Sequence, residues 1–158
     1  MYKNISLNEI VFLKKLGIEP FNKTFSLKYF KKFIKNRKKN IKNLLMDQTF
    51  VSGLGNIYVN EALFASRIYP LKLCNNLSKI EIKNLIINIK KILQLSILKG
   101  GSSIRDFKNI SGKSGSFQQF FQVYTHENNN CSRNSCTGKI KKIFISNRST
   151  FYCNNCQK

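Results

Sequence analysis

The sequence predicts a mainly α-helical chain that ends in a small β-hairpin module. Three observations carry that expectation. Apolar residues recur at helical spacing over 26–45 and again over 78–98. Four of the five cysteines fall in the last 28 residues. Between the two cysteine pairs the residues alternate as two short strands. With 158 residues the chain has room for one ordinary domain or two small ones. Hydrophobic residues make up 42% and aromatics 12%, enough for a packed core and too much for a fully disordered chain.

Residues 1–25 show no clear period, and Gly17 and Pro20 break any helix between them, so this stretch is expected to be a linker or docking arm. From Ser26, placed as an N-cap, Leu27, Phe30, Ile34, Ile41 and Leu45 fall close to one helical stripe. Next, Gly53 and Gly55 precede Asn56 and an apolar helix that ends at Ile68-Tyr69-Pro70-Leu71. Asn56 suits the cap or first turn, where free N–H groups and the positive end of the helix dipole can hold a phosphate. A Gly-x-Gly before a helix is weak evidence by itself. Ser78-Lys79-Ile80-Glu81 is a capping-box pattern that opens a helix to about Leu98. Its expected buried face is Leu85, Ile86, Ile89, Ile92, Leu93 and Ile97, and Gly100-Gly101 stops it. Cys74, between these helices, is expected to be a small buried hydrophobe. Residues 102–119 are rich in Gly, Ser and Lys and predict a flexible loop.

Charge narrows the partner. Lys and Arg total 28 against seven Asp and Glu, a formal net charge of +21. Lys, Asn and Ile are residues of A/T-rich codons, which can supply lysine but does not explain the scarcity of acids. Eight basic residues (Lys28, Lys31, Lys32, Lys35, Arg37, Lys38, Lys39 and Lys42) lie on the face opposite the first stripe, and no acid occurs between Glu19 and Asp47. Such a face is ordinarily just solvated. Here the like charges repel one another and favour a polyanionic counter-surface. No apolar run approaches the roughly 20 residues that span a bilayer, and the amino terminus lacks the apolar core of a secretion signal.

The cysteine spacing is the most specific feature. Cys131-x4-Cys136, a sixteen-residue insert and Cys153-x2-Cys156 make the pattern of a zinc ribbon. Four soft sulfur ligands select tetrahedral Zn²⁺ and leave no open position, so the expected metal is one structural zinc ion. Residues 138–145 and 149–152 alternate as the strands, and Ser146-Asn147-Arg148 is expected to form the turn, with Arg148 near the tip. So short a module cannot bury enough core, and metal binding must supply folding free energy of about 10 kcal/mol. The alternative is two disulfides in an oxidising compartment. His126 is not expected to be a ligand when four sulfurs are at hand.

Several segments together resemble one family. Leu45-Met46-Asp47-Gln48 is followed by Gly53-Leu54-Gly55-Asn56-Ile57-Tyr58-Val59-Asn60-Glu61-Ala62-Leu63-Phe64, and then by Lys99-Gly100-Gly101-Ser102-Ser103. Gln122-Val123-Tyr124 and the run from Arg148 through Cys153 and Cys156 to Lys158 complete the set. In composition and order these closely resemble the formamidopyrimidine-DNA glycosylase family, from about Phe12 to the end. The resemblance implies a helix–two-turns–helix domain over 26–121, with a lesion loop at 102–119, followed by a four-cysteine zinc ribbon over 122–158; residues 1–25 would be a remnant of the inter-domain linker. It implies that Asn56 and Arg148 grip the backbone of damaged double-stranded DNA, that Cys131, Cys136, Cys153 and Cys156 bind zinc, and that the target nucleotide is flipped out of the stack.

The same resemblance implies an amino-terminal catalytic half that begins with a proline nucleophile and a glutamate. Here Met1 is followed by Tyr2 and Lys3, and Thr49 stands where some members carry a basic residue in the lesion pocket. The polypeptide is therefore expected to bind DNA without glycosylase or lyase turnover. It could be a fragment, a half that assembles with a separately encoded catalytic half, or a stand-alone, non-catalytic damaged-DNA-binding zinc protein. It is expected to be monomeric, cytoplasmic and nucleoid-associated, with no membrane partner.

Overall fold

A computed structural model describes residues 15–35, 37–102 and 115–158. Among the described residues, four α-helices precede a two-stranded antiparallel hairpin, so the fold is mostly helical with a small β module toward its carboxyl end. The resemblance-based lesion loop falls largely outside the described residues; Phe117–Phe120 at its far end form a 3₁₀ turn.

Helix α1 spans Leu27–Ile34, and the Ser26 hydroxyl accepts from the Tyr29 N–H at 3.4 Å, as the cap assignment predicts. The stripe that reads as one helix over 26–45 is in fact broken. A second helix, α2 (Ile41–Leu45), starts afresh because the Asn40 side chain accepts from the Asn43 N–H at 2.8 Å. Ahead of that cap, the Ile41 N–H donates to the Lys72 carbonyl at 2.8 Å, so the chain has turned to meet residues 70–73. A side-chain cap and a long-range backbone bond here override helical periodicity.

Helix α3 (Asn56–Ala65) runs through the middle of the molecule and buries Val59 to Phe64. Helix α4 (Lys79–Leu98) begins at Ser78 with both halves of the capping box formed, and Glu81 is also paired with Lys72 at 2.6 Å. It ends at Gly100, whose φ of +71° takes the chain out of the helix. Leu85, Ile86 and Ile89 are buried as expected, but Ile97 is 68% and Leu98 76% exposed, because the last turn packs through Ser96, whose hydroxyl bonds to Tyr58, and leaves its other side open. No helix among the described residues is long and apolar enough to cross a membrane.

The main core joins these helices through Phe30, Leu44, Phe50, Leu63, Ile82 and Leu85, among others. Rings of Tyr29, Phe30 and Phe33 surround Phe50 with centroids 5.0–5.6 Å away. The described part of the amino-terminal segment does not trail: Ile18 bridges to Val51 and Phe25 is buried in this core. Cys74 is fully buried, as a small hydrophobe should be.

Strands β1 (Ile140–Ile145) and β2 (Arg148–Cys153) pair from Ile140↔Cys153 to Ile145↔Arg148. That register leaves only Ser146 and Asn147 in the turn, with φ of +49° and +59°, the left-handed pair that a tight hairpin requires. Arg148 is therefore the first residue of β2 rather than a turn residue. A second, smaller core of Phe64, Val123, Ile140 and Phe151 lies beneath the hairpin and joins it to α3.

Candidate nucleic-acid interface

Asn56, one of the two DNA-contact residues that the resemblance implies, bonds to the residue that follows the other, Arg148. Asn56 opens α3, and its Nδ2 donates to the Ser149 carbonyl at 3.0 Å, one residue from Arg148. The N-cap before it, Gly55, makes no side-chain bond to the first turn. Among the described residues, no N-cap side chain takes the N–H groups at the start of α3, which lie at the positive end of the helix dipole.

Arg148 is exposed, and with Lys39, Asn43, Met46, Asp47 and Ser146 it lines a groove of about 260 Å³ between α2 and the hairpin tip. The tip is tied down where the Ser146 hydroxyl donates to Asn43 Oδ1 at 3.1 Å. Asp47 is spent on local contacts: it pairs with Lys39 at 2.9 Å and accepts the Thr49 hydroxyl at 2.6 Å. Burial opposes its charged form, but the bonds from Thr49 and Lys39 outweigh that and hold its carboxyl down to about 2. Lys28, Lys31, Lys32, Lys35, Arg37 and Lys38 are exposed, as the basic-face expectation requires. Lys42 departs from it. The residue is fully buried, and its ammonium donates to Thr150 Oγ1 at 2.6 Å and to the Ser149 carbonyl at 3.1 Å.

Two further polar residues inside α3 fasten the hairpin and its approach. Asn60 accepts the Phe151 N–H at 2.7 Å and donates to the Asn56 carbonyl at 2.7 Å. Glu61 is buried, and its carboxylate accepts the consecutive N–H groups of Gln122, Val123 and Tyr124 at 2.9–3.1 Å. Burial pushes its carboxyl above the usual range even though those three bonds pull the other way. At the far end of α3, the Arg133 guanidinium donates to the carbonyls of Phe64 and Ala65 and sits 4.5 Å over the Phe64 ring.

The four expected ligands also converge. The sulfurs of Cys131, Cys136, Cys153 and Cys156 all lie within 4.8 Å of one another, with 131–156 at 3.9 Å and 136–153 at 3.6 Å. A tetrahedron with metal–sulfur bonds of about 2.3 Å has edges of about 3.8 Å, so the four can hold one metal ion. Burial first, and then the neighbouring sulfurs of Cys153 and Cys131, pushes the Cys156 thiol up to about 12. Gly138 completes the cradle, since a Cβ there would stand 2.6 Å from Cys153 Sγ. His126 is not part of the cluster.

Comparison with known proteins identifies this arrangement. The family described as "Formamidopyrimidine-DNA glycosylase H2TH domain" matches residues 16–108, more than half of the chain. The chain belongs to the formamidopyrimidine-DNA glycosylase family. It is 44% identical over 146 residues to the formamidopyrimidine-DNA glycosylase of Roseobacter denitrificans, covering 92% of this chain and 52% of the relative. With the Streptococcus mutans enzyme it shares 46% over 145 residues, with 92% and 52% covered. Among solved structures, the Lactococcus lactis glycosylase in complex with DNA containing an abasic site superposes with a TM-score of 0.85 at 40% identity, covering 98% of this chain and 57% of that one. The Thermus thermophilus protein gives 0.85 at 32% identity, with 94% and 56% covered. The chain thus spans about half the length of the curated relatives it matches.

Within the glycosylase frame, Asn60, Glu61 and Lys42 are the polar residues that the sequence did not mark as structural anchors. Asn60-Glu61 stands out in hindsight, as the one strongly polar pair inside the apolar run from Ile57 to Phe64.

Proposed function

We propose that this chain is the DNA-binding carboxyl-terminal half of a formamidopyrimidine-DNA glycosylase-like base-excision repair enzyme, and that it carries one structural zinc ion in its ribbon. The observation that carries this function is the bond from the Asn56 amide to the Ser149 carbonyl, next in the chain to the exposed Arg148, which shares a groove with Lys39. A phosphate approaching there meets N–H donors from a helix start, an amide and a guanidinium, the groups suited to an oxyanion. These contacts address the backbone rather than base edges, which positions a protein without reading sequence. Zinc is supported by four thiolates at tetrahedral spacing. In the repair reaction of this family, zinc would be held by Cys131, Cys136, Cys153 and Cys156 and would fix the hairpin that presents Arg148; the chemistry on the sugar would come from elsewhere.

The chain binds damaged duplex DNA through contacts to its sugar–phosphate backbone. The Arg148→Ala variant should weaken binding to an abasic duplex by roughly 1–3 kcal/mol with the fold intact. Unchanged affinity would remove Arg148 from the interface.

A further inference from the structure

The buried ammonium of Lys42 has a role that neither the core nor the metal explains. The residue lies on the short helix α2, it is fully buried, and no carboxylate is within 4.0 Å of it among the described residues. Burying an unpaired cation is costly. An apolar side chain of the same length would fill the site at lower cost. What the amine provides is two bonds to β2, at the Ser149 carbonyl and the Thr150 hydroxyl. The same Ser149 carbonyl takes the Asn56 amide, and the Thr150 hydroxyl also donates to the Arg148 carbonyl at 3.0 Å. Two side chains from the helices, Lys42 and Asn56, thus converge with the Thr150 hydroxyl on the first three residues of β2, where Arg148 leaves the backbone.

We propose that Lys42 is a positioning residue for the DNA contact: it fixes the start of β2 so that Arg148 stands beside Asn56 and couples its own charge to the phosphate held there. This rests on the DNA-binding function proposed above. Electrostatics follow from the geometry. The charged group that acts on the amine is Arg148 from the hairpin; Arg148 in turn lines a groove with the Lys39–Asp47 pair. Burial first, and then the like charge of Arg148, lowers the Lys42 ammonium to about 7. In free protein the amine therefore loses its proton near neutrality. A phosphate bound against Arg148 and Asn56 brings negative charge close by and favours the protonated form, so binding takes up a proton. Affinity must then fall as pH rises through neutrality.

Fluorescence anisotropy of the zinc-loaded full chain on a duplex with a tetrahydrofuran abasic analogue, at pH 6.5, 7.5 and 8.5 and fixed salt, tests the inference. The unaltered chain should bind about three- to tenfold more weakly at pH 8.5 than at pH 6.5. Lys42→Met fills the same volume without charge, and should keep its zinc and helical content while losing about tenfold at pH 6.5 and most of the pH slope. Thr150→Val removes one acceptor but keeps the shape, and should bind several-fold more weakly while retaining the slope; it also serves if the Lys42 variant fails to fold. Affinity and slope equal to the unaltered chain in folded Lys42→Met, or unchanged affinity in Thr150→Val, would overturn the positioning role alone. Failure of the unaltered chain to bind would overturn the proposed function with it.

Discussion

The helical domain and the ribbon are stabilised by opposite means. The helical domain closes around a continuous core that runs from Phe25 to Ile89, and much of its stability is non-directional burial. The ribbon's core has only five of its own residues, closed by Phe64 of α3, and depends on four sulfurs and a set of directed polar bonds to the helices. Helix α3 serves both: its apolar residues fill the main core while Asn56, Asn60 and Glu61 reach across to the ribbon and its approach. The lesson is that a small module can be aimed accurately when polar bonds, which require specific geometry, fasten it to a body held by burial, which does not.

The contrast can be broken most severely at the metal. Cys153→Ser should release zinc, withdrawing folding free energy of about 10 kcal/mol from the ribbon, and amide exchange should show an unprotected hairpin above an intact helical domain. Retained metal and hairpin protection would exclude the four-sulfur assignment. Glu61→Ala comes next. It strands three N–H groups, that of Val123 buried and those of Gln122 and Tyr124 half-buried, and equilibrium unfolding of the zinc-loaded protein should record a loss of about 3 kcal/mol. A loss below about 1 kcal/mol would mean that the approach to the ribbon is held by packing instead.

A smaller effect sharpens the comparison through pH. The Lys42 amine is lowered from 10.5 to about 7 by burial and by Arg148. Between those values the unfolded chain binds more protons than the folded one, so this residue's contribution to stability grows as pH rises from about 7 and its penalty is complete below that. Relative to Lys42→Met, the wild-type protein should therefore be least stable near pH 6 and gain on the variant by about 1–2 kcal/mol toward pH 8.5, measured by urea unfolding. A constant difference across that range would show that the amine does not titrate there. Smaller still is the effect of Arg148→Ala on folding, expected within about 0.5 kcal/mol because the side chain is exposed.

Local chemistry was legible in the sequence, and long-range polar contacts were not. The Ser78 capping box, the glycine stop after α4, the buried Cys74 and the convergence of four cysteines each follow from residues close in the chain or from ligand chemistry. The break between α1 and α2 was hidden because Ile41 and Leu45 keep the period of the stripe while Asn40 caps a new start and Ile41 bonds to Lys72. Lys42 read as one more cation on a basic face, and only its contact with Thr150, 108 residues away, moves it to the interior. Asn60 and Glu61 reach partners 91 and 61–63 residues distant, beyond any periodic signal. Ile97 keeps the spacing of the buried face, yet the last turn packs through Ser96 instead.

The central claim is that the metal-held hairpin and the start of α3 together hold a DNA backbone. It is tested most directly by titrating salt against binding of the zinc-loaded chain to an abasic duplex. If about five phosphates are neutralised, the logarithm of affinity should fall against the logarithm of salt with a slope near −4 to −5. A chain that fails to bind at low ionic strength, or whose binding ignores salt, would contradict it.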